Sequence, residues 1–117
     1  MTIEFLKEIV DNEELSLDAL VTIHKPWTVN MRLFPYKVEE YDDYILLHCA
    51  DGYNHDTRIT IEDLLKYNNN KPLAYTTGKE MLGCKIEYIE SFNLHRNLKR
   101  KIELILDSKN SSKDYNG

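Results

Sequence analysis

The densest grouping of reactive side chains runs from His48 to Asp56, where His48, Cys49, Asp51, His55 and Asp56 all carry atoms that hold metals or move protons. Their spacing matches no zinc pattern: Cys-x-x-Cys is absent, and Asp51-Gly52 puts a turn between His48 and His55. Side chains alternate along a strand, so His48 should share a face with Tyr44 and Leu46 while Cys49 points away with Ile45 and Leu47. The two are not expected to share a metal, and no metal or other cofactor is expected. His55-Asp56 has the residue types of a metal-dependent hydrolase or nuclease, but such sites need further His and Asp on surrounding elements. No Gly-x-Ser-x-Gly turn occurs, and Thr77-Gly78-Lys79 lacks the upstream glycine of a phosphate loop. The chain is therefore read as a non-enzyme, with a small hydrolase centred on His48, His55 and Asp56 as one alternative.

Two arginines and two aromatics offer a different chemistry. Pairing residue 38 with residue 44 across a hairpin brings Arg32 towards the turn at 51–56, with Arg58 entering from the next strand and Trp27 and Tyr53 on the same rim. Arg32 and Arg58 could clamp a phosphate while Trp27 and Tyr53 stack a base, as binding of a nucleotide or cyclic dinucleotide requires. Ordinary Arg–Asp surface pairs with Asp51 or Asp56 are the plainer reading.

Charge is sorted along the chain. Glu39, Glu40, Asp42 and Asp43 surround Tyr41, and residues 1–20 add Glu4, Glu8, Asp11, Glu13, Glu14 and Asp18 against Lys7 alone. A run of this kind is commonly a solvated loop, but it can also imitate phosphates and occupy a basic groove on another protein. Residues 93–113 carry six cations against two anions, which suits contact with RNA, DNA or an acidic partner, or head-to-tail contact with a second copy; a solvated face that complements the acidic body is the plainer reading.

Any such site needs a scaffold, and composition allows one. The chain has 117 residues, 42% hydrophobic and 30% charged, with net charge −5 and a pI near 5.3, so whole-chain disorder and general nucleic-acid coating are excluded as first readings. Two cysteines are too few for a disulfide framework and are read as reduced. The N-terminus lacks the pattern of an export signal and no apolar run is long enough to span a bilayer, which points to the cytoplasm. The absence of Gln and abundance of Lys, Asn, Ile and Tyr fit an AT-rich genome, such as that of a phage or other mobile element.

Periodicity supplies the elements. Ile3 to Val10 reads as a helix capped by Thr2, followed by a helical turn at 13–20. Alternation from Val21 to Leu33, interrupted at Pro26, predicts a strand, and the apolar phase flips at Phe34-Pro35, where a bulge is expected. Tyr44 to Ala50 and 57–61 complete a three-stranded meander. Thr60 and Asp63 form a capping box for a helix at 62–67, Cys84 to Tyr88 reads as a fourth strand, and Leu94, Leu98, Ile102 and Ile105 suggest a helix over 92–107. The fold class expected is α+β: an antiparallel meander of about four strands with N- and C-terminal helices packed on one face. It forms a single domain over 1–108 with a flexible polar tail at 109–117.

The function expected is that of a small non-enzymatic binding module, specifically a mobile-element accessory protein that inhibits a host protein, one with a basic nucleic-acid-binding groove, through Glu39, Glu40, Tyr41, Asp42 and Asp43. A nucleotide binder built on Trp27, Arg32, Tyr53 and Arg58 is the alternative. A homodimer is compatible with either, and no membrane association is expected.

Overall fold

The computed structural model describes residues 1–25, 31–51, 59–68, 70–76, 86–96 and 102–108. The first element follows the sequence. The Thr2 hydroxyl accepts the Phe5 amide at 3.2 Å and opens helix α1 (Ile3–Asn12), which buries Ile3, Leu6 and Ile9 as one stripe. Glu14, at φ 51°, takes the left-handed conformation that ends the helix, and the Leu15 amide then donates to the Val10 carbonyl at 3.0 Å. The helical turn expected at 13–20 gives way to this reversal, and the chain enters β1 (Leu20–Lys25).

β1, β2 (Met31–Glu40) and β3 (Ile45–Asp51) form an antiparallel meander. The ladder between β2 and β3 shifts register between Pro35 and Lys37, the irregularity that the phase change at Phe34-Pro35 predicts. Beyond the shift, Val38 faces Leu47 rather than Tyr44, so the register assumed from sequence is corrected. Thr60 then makes an isolated bridge to Leu20 and opens helix α2 (Ile61–Leu64) through the expected capping box: its hydroxyl accepts the Asp63 amide, and the Asp63 carboxylate accepts the Thr60 amide at 2.9 Å.

The second half overturns the expected fold class. β4 (Leu73–Thr76) lies parallel on β3, β5 (Glu87–Arg96) is antiparallel to β4, and β6 (Ile102–Ser108) is antiparallel to β5. β6 then pairs parallel with β1, Leu20 opposite Glu103 and His24 opposite Asp107, which closes a six-stranded barrel. The chain is therefore not an α+β meander of four strands under two helices. Where a helix was expected over 92–107, residues 92–96 and 102–107 are antiparallel strands and 97–101, with Leu98, lie outside the described residues; Ile102, Leu104 and Leu106 alternate with Glu103, Ile105 and Asp107, and Leu104 and Leu106 are fully buried.

The core fills this barrel. Val21, Ile23, Leu33, Ile45, Leu47, Cys49, Leu73, Tyr75, Ile89, Leu104 and Leu106 form one buried cluster with Ile3, Leu6 and Ile9 of α1 and with Ile61 and Leu64 of α2. The two helices thus plug the barrel. α1 is tied in at its start: the Met1 ammonium donates to the Ile89 carbonyl at 2.8 Å, and the Leu73 amide donates to the Met1 carbonyl at 2.7 Å. Closing the sheet on itself satisfies backbone groups that an open edge would leave to solvent. No helix among the described residues is long and apolar enough to cross a membrane.

Candidate functional site

Alternation on β2 divides the acidic run. Glu39 pairs with Leu46, which lies outside the core cluster, so it stands on the outer face of the barrel; Glu40 pairs with the interior residue Ile45 at the barrel rim. There Glu40 accepts from the Lys71 ammonium at 2.9 Å. Asp42 and Asp43 are exposed in the turn between β2 and β3. The four carboxylates are therefore not one array.

Glu39 is the centre of a small network. Its Oε1 lies 2.6 Å from His48 Nε2 and accepts the Tyr41 hydroxyl at 3.1 Å, with the Lys37 ammonium at 3.7 Å. A carboxylate only accepts, so the hydrogen is on Nε2. These contacts hold the Glu39 carboxyl below its ordinary range, the His48 hydrogen bond foremost and the Tyr41 bond second, while the Glu39 carboxylate raises the Tyr41 phenol.

Aromatic rings continue this network across the outer face. Tyr36 lies 6.4 Å from the His48 ring, Tyr41 5.4 Å from Tyr44, and Tyr44 meets Tyr88 edge-on at 6.3 Å. Ala74, which pairs with both Leu46 and Tyr88, is fully buried beneath them. The strands β2 to β5 thus present a row of rings with Tyr36, Tyr41 and Tyr88 each about two-fifths exposed (42%, 42% and 40%). The exposed parts of these rings are what a ligand would meet.

The same end of the barrel gathers the second acidic region. Ile45 donates to the Pro72 carbonyl, Pro72 bridges Thr2, and Thr2 begins α1, so Glu4 follows within one turn of the hairpin's neighbours. Glu8, Asp11, Glu13, Glu14 and Asp18 are exposed further along.

Of the alternative ligand residues, Trp27, Tyr53 and Arg58 lie outside the described residues, as do His55 and Asp56; Arg32 is placed by its backbone, opposite His24. His48 and Cys49 do point to opposite sides, His48 to Glu39 and Cys49 into the core, where burial pushes its thiol far above the ordinary value. Among the described residues no three His, Cys, Asp or Glu side chains are grouped to hold a metal ion.

Sequence reasoning missed the tyrosine row and one further pair. Tyr36, Tyr44 and Tyr88 were legible as strand residues, but their meeting depends on the parallel seam between β3 and β4. At the other seam His24 Nδ1 donates to Asp107 Oδ1 at 3.0 Å, and Asn93 Nδ2 donates to Asp107 Oδ2 at 3.2 Å, tying β1, β6 and β5 together. Nothing local relates His24 to a residue 83 positions away.

Comparison with protein families, curated proteins and solved structures returned no match to this chain.

Proposed function

We propose that the chain is a non-enzymatic binding module whose outer face on β2 to β5, with the turn at 41–44, receives a positively charged segment of a protein partner. The observation that carries this reading is the continuity of exposed Tyr36, Tyr41 and Tyr88 with the carboxylates of Glu39, Asp42 and Asp43. Contiguous exposed aromatics are uncommon on soluble monomers unless something docks there, and tyrosine provides large contact area at low entropic cost. The carboxylates give the face its sign: a guanidinium or ammonium gains from ring faces and carboxylates together, whereas a phosphate backbone would be repelled. The partner is thus anchored by rings and steered by charge, rather than held by charge alone.

An arginine-rich peptide serves as the probe, with a polyglutamate peptide as control. Amide chemical shifts should move at Tyr36, Glu39, Tyr41 and Tyr88 with the cationic peptide only. Tyr41→Ala with Tyr88→Ala should abolish the response, and reversing Asp42 and Asp43 to Lys should slow association most at low salt. Shifts confined to another face, or none at any salt concentration, would remove the proposal.

A further inference from the structure

Two junctions of the barrel carry uncompensated charge of opposite sign. At the turn between β2 and β3, Glu39 is met by His48 and Lys37, and Glu40 by Lys71. Asp42 and Asp43 are exposed there, and among the described residues neither meets a cation. At the end of β5, Arg96 is exposed and meets no carboxylate among the described residues. It opens the connection to β6, whose sequence Arg96-Asn97-Leu98-Lys99-Arg100-Lys101 holds four cations, one leucine and no anion. Residues 97–101 lie outside the described residues, but Arg96 and Ile102, paired across the ladder, fix where this segment leaves and rejoins the sheet.

Strand order sets the β2–β3 and β5–β6 junctions on opposite sides of the plugged cylinder. Tyr88 stands eight residues before Arg96 on β5, roughly 25 Å at about 3.3 Å per residue. The connection 97–101, held at both ends, reaches only about 10 Å. The basic segment therefore falls short of Tyr88 in its own chain and can seat on the whole tyrosine row only in another molecule. We propose that a second copy of this chain is the cationic partner of the tyrosine face. Segment 96–101 of one copy lies on Tyr36, Tyr41 and Tyr88 of the next, its guanidinium and ammonium groups against Asp42 and Asp43 and its leucine against the rings. This names the partner for the function proposed above and rests on that reading. Rings beside carboxylates suit a segment in which cations flank an apolar side chain. Donor and acceptor are different surfaces, so the contact is heterologous: each copy receives one neighbour and enters another, and growth stops only where the rotation closes a ring.

Sedimentation of the full chain from micromolar to near-millimolar concentration tests it, and the wild type should gain mass across that range. Tyr41→Ala with Tyr88→Ala removes the acceptor. Lys99→Gln, Arg100→Gln and Lys101→Gln together remove the donor without creating repulsion. Either variant alone should associate about tenfold more weakly, or less. Mixed in equal amounts, the two retain one intact surface apiece and should recover the wild-type affinity while stopping at a one-to-one pair. Thermal melts show which variants remain folded, and Asp42→Asn with Asp43→Asn replaces the tyrosine variant if that one unfolds. A wild type that stays monomeric throughout, a single-surface variant that associates like the wild type, or a mixture that does not pair overturns the proposal. If an arginine-rich peptide still moves the amide shifts of Tyr36, Tyr41 and Tyr88 in a chain that stays monomeric, the binding function stands and only the second copy falls as its partner. A monomeric chain that the peptide leaves unmoved removes both.

Discussion

Glu39 and His48 lie 2.6 Å apart on neighbouring strands, and the carboxylate oxygen that takes the imidazole hydrogen also takes the Tyr41 hydroxyl. The folded chain therefore favours the ionised form of Glu39, whose pKa falls below its ordinary 4.5. A group depressed on folding stabilises the native state above its unfolded value, and that contribution is lost as pH falls through the folded one. The thermal midpoint of the wild type should drop relative to that of Glu39→Gln as pH is lowered from about 4.5. Parallel curves for the two proteins would show that the network has no such role.

Glu14 holds a left-handed backbone that costs a residue with a Cβ more than it costs glycine. It follows α1 where the Leu15 amide returns to Val10, the position at which helices commonly place glycine. Glu14→Gly should therefore stabilise the protein by about 0.5–1 kcal/mol in urea titrations, against the usual direction of a substitution to glycine. A loss of stability would mean that the side chain is worth more than the strain.

Tyr75 is 1% exposed and donates its hydroxyl to Glu87 at 2.6 Å. Tyr75→Phe keeps the ring in the barrel but deprives Glu87 of that donor. The expected loss is about 1–3 kcal/mol by chemical denaturation, since a partly buried carboxylate is left short of a partner. Leu6→Ala, which empties part of the plug beneath the barrel, should cost about 2–5 kcal/mol.

Cys49 is fully buried in the barrel core, and desolvation raises its thiol far above the ordinary value. In a Cys84→Ser background, Cys49 should resist a thiol-specific reagent at neutral pH and react at the rate of global unfolding. Rapid labelling of the native protein would place Cys49 outside the core.

The local parts of this fold could be read from sequence because local chemistry decides them. Thr2 and the stripe Ile3, Leu6, Ile9 specify α1; Thr60 and Asp63 specify the start of α2; the apolar phase change at Phe34-Pro35 marks the irregularity between β2 and β3. The C-terminal segment misled because Leu94, Ile102 and Ile105 sit at helical intervals, while Ile105 is in fact buried on the outer face of a strand. What settles the matter is the pairing of β6 with β1, a relation between residues such as Leu20 and Glu103 that no window of sequence contains. The candidate site shares this history. Glu39, Glu40, Tyr41, Asp42 and Asp43 were visible as a charged run, but strand alternation separates Glu39 from Glu40, and Tyr88 joins only through the β3–β4 seam.

The union of β1 with β6 has a consequence for synthesis. A ribosome delivers β1 long before its parallel neighbour, which begins at Ile102, so the cylinder cannot shut until β6 has emerged. Until then β1 offers a bare flank to other polypeptides, and release of a product cut short before β6 would leave it permanently open. Truncation of the chain before Ile102 should therefore yield aggregates rather than a shorter soluble protein.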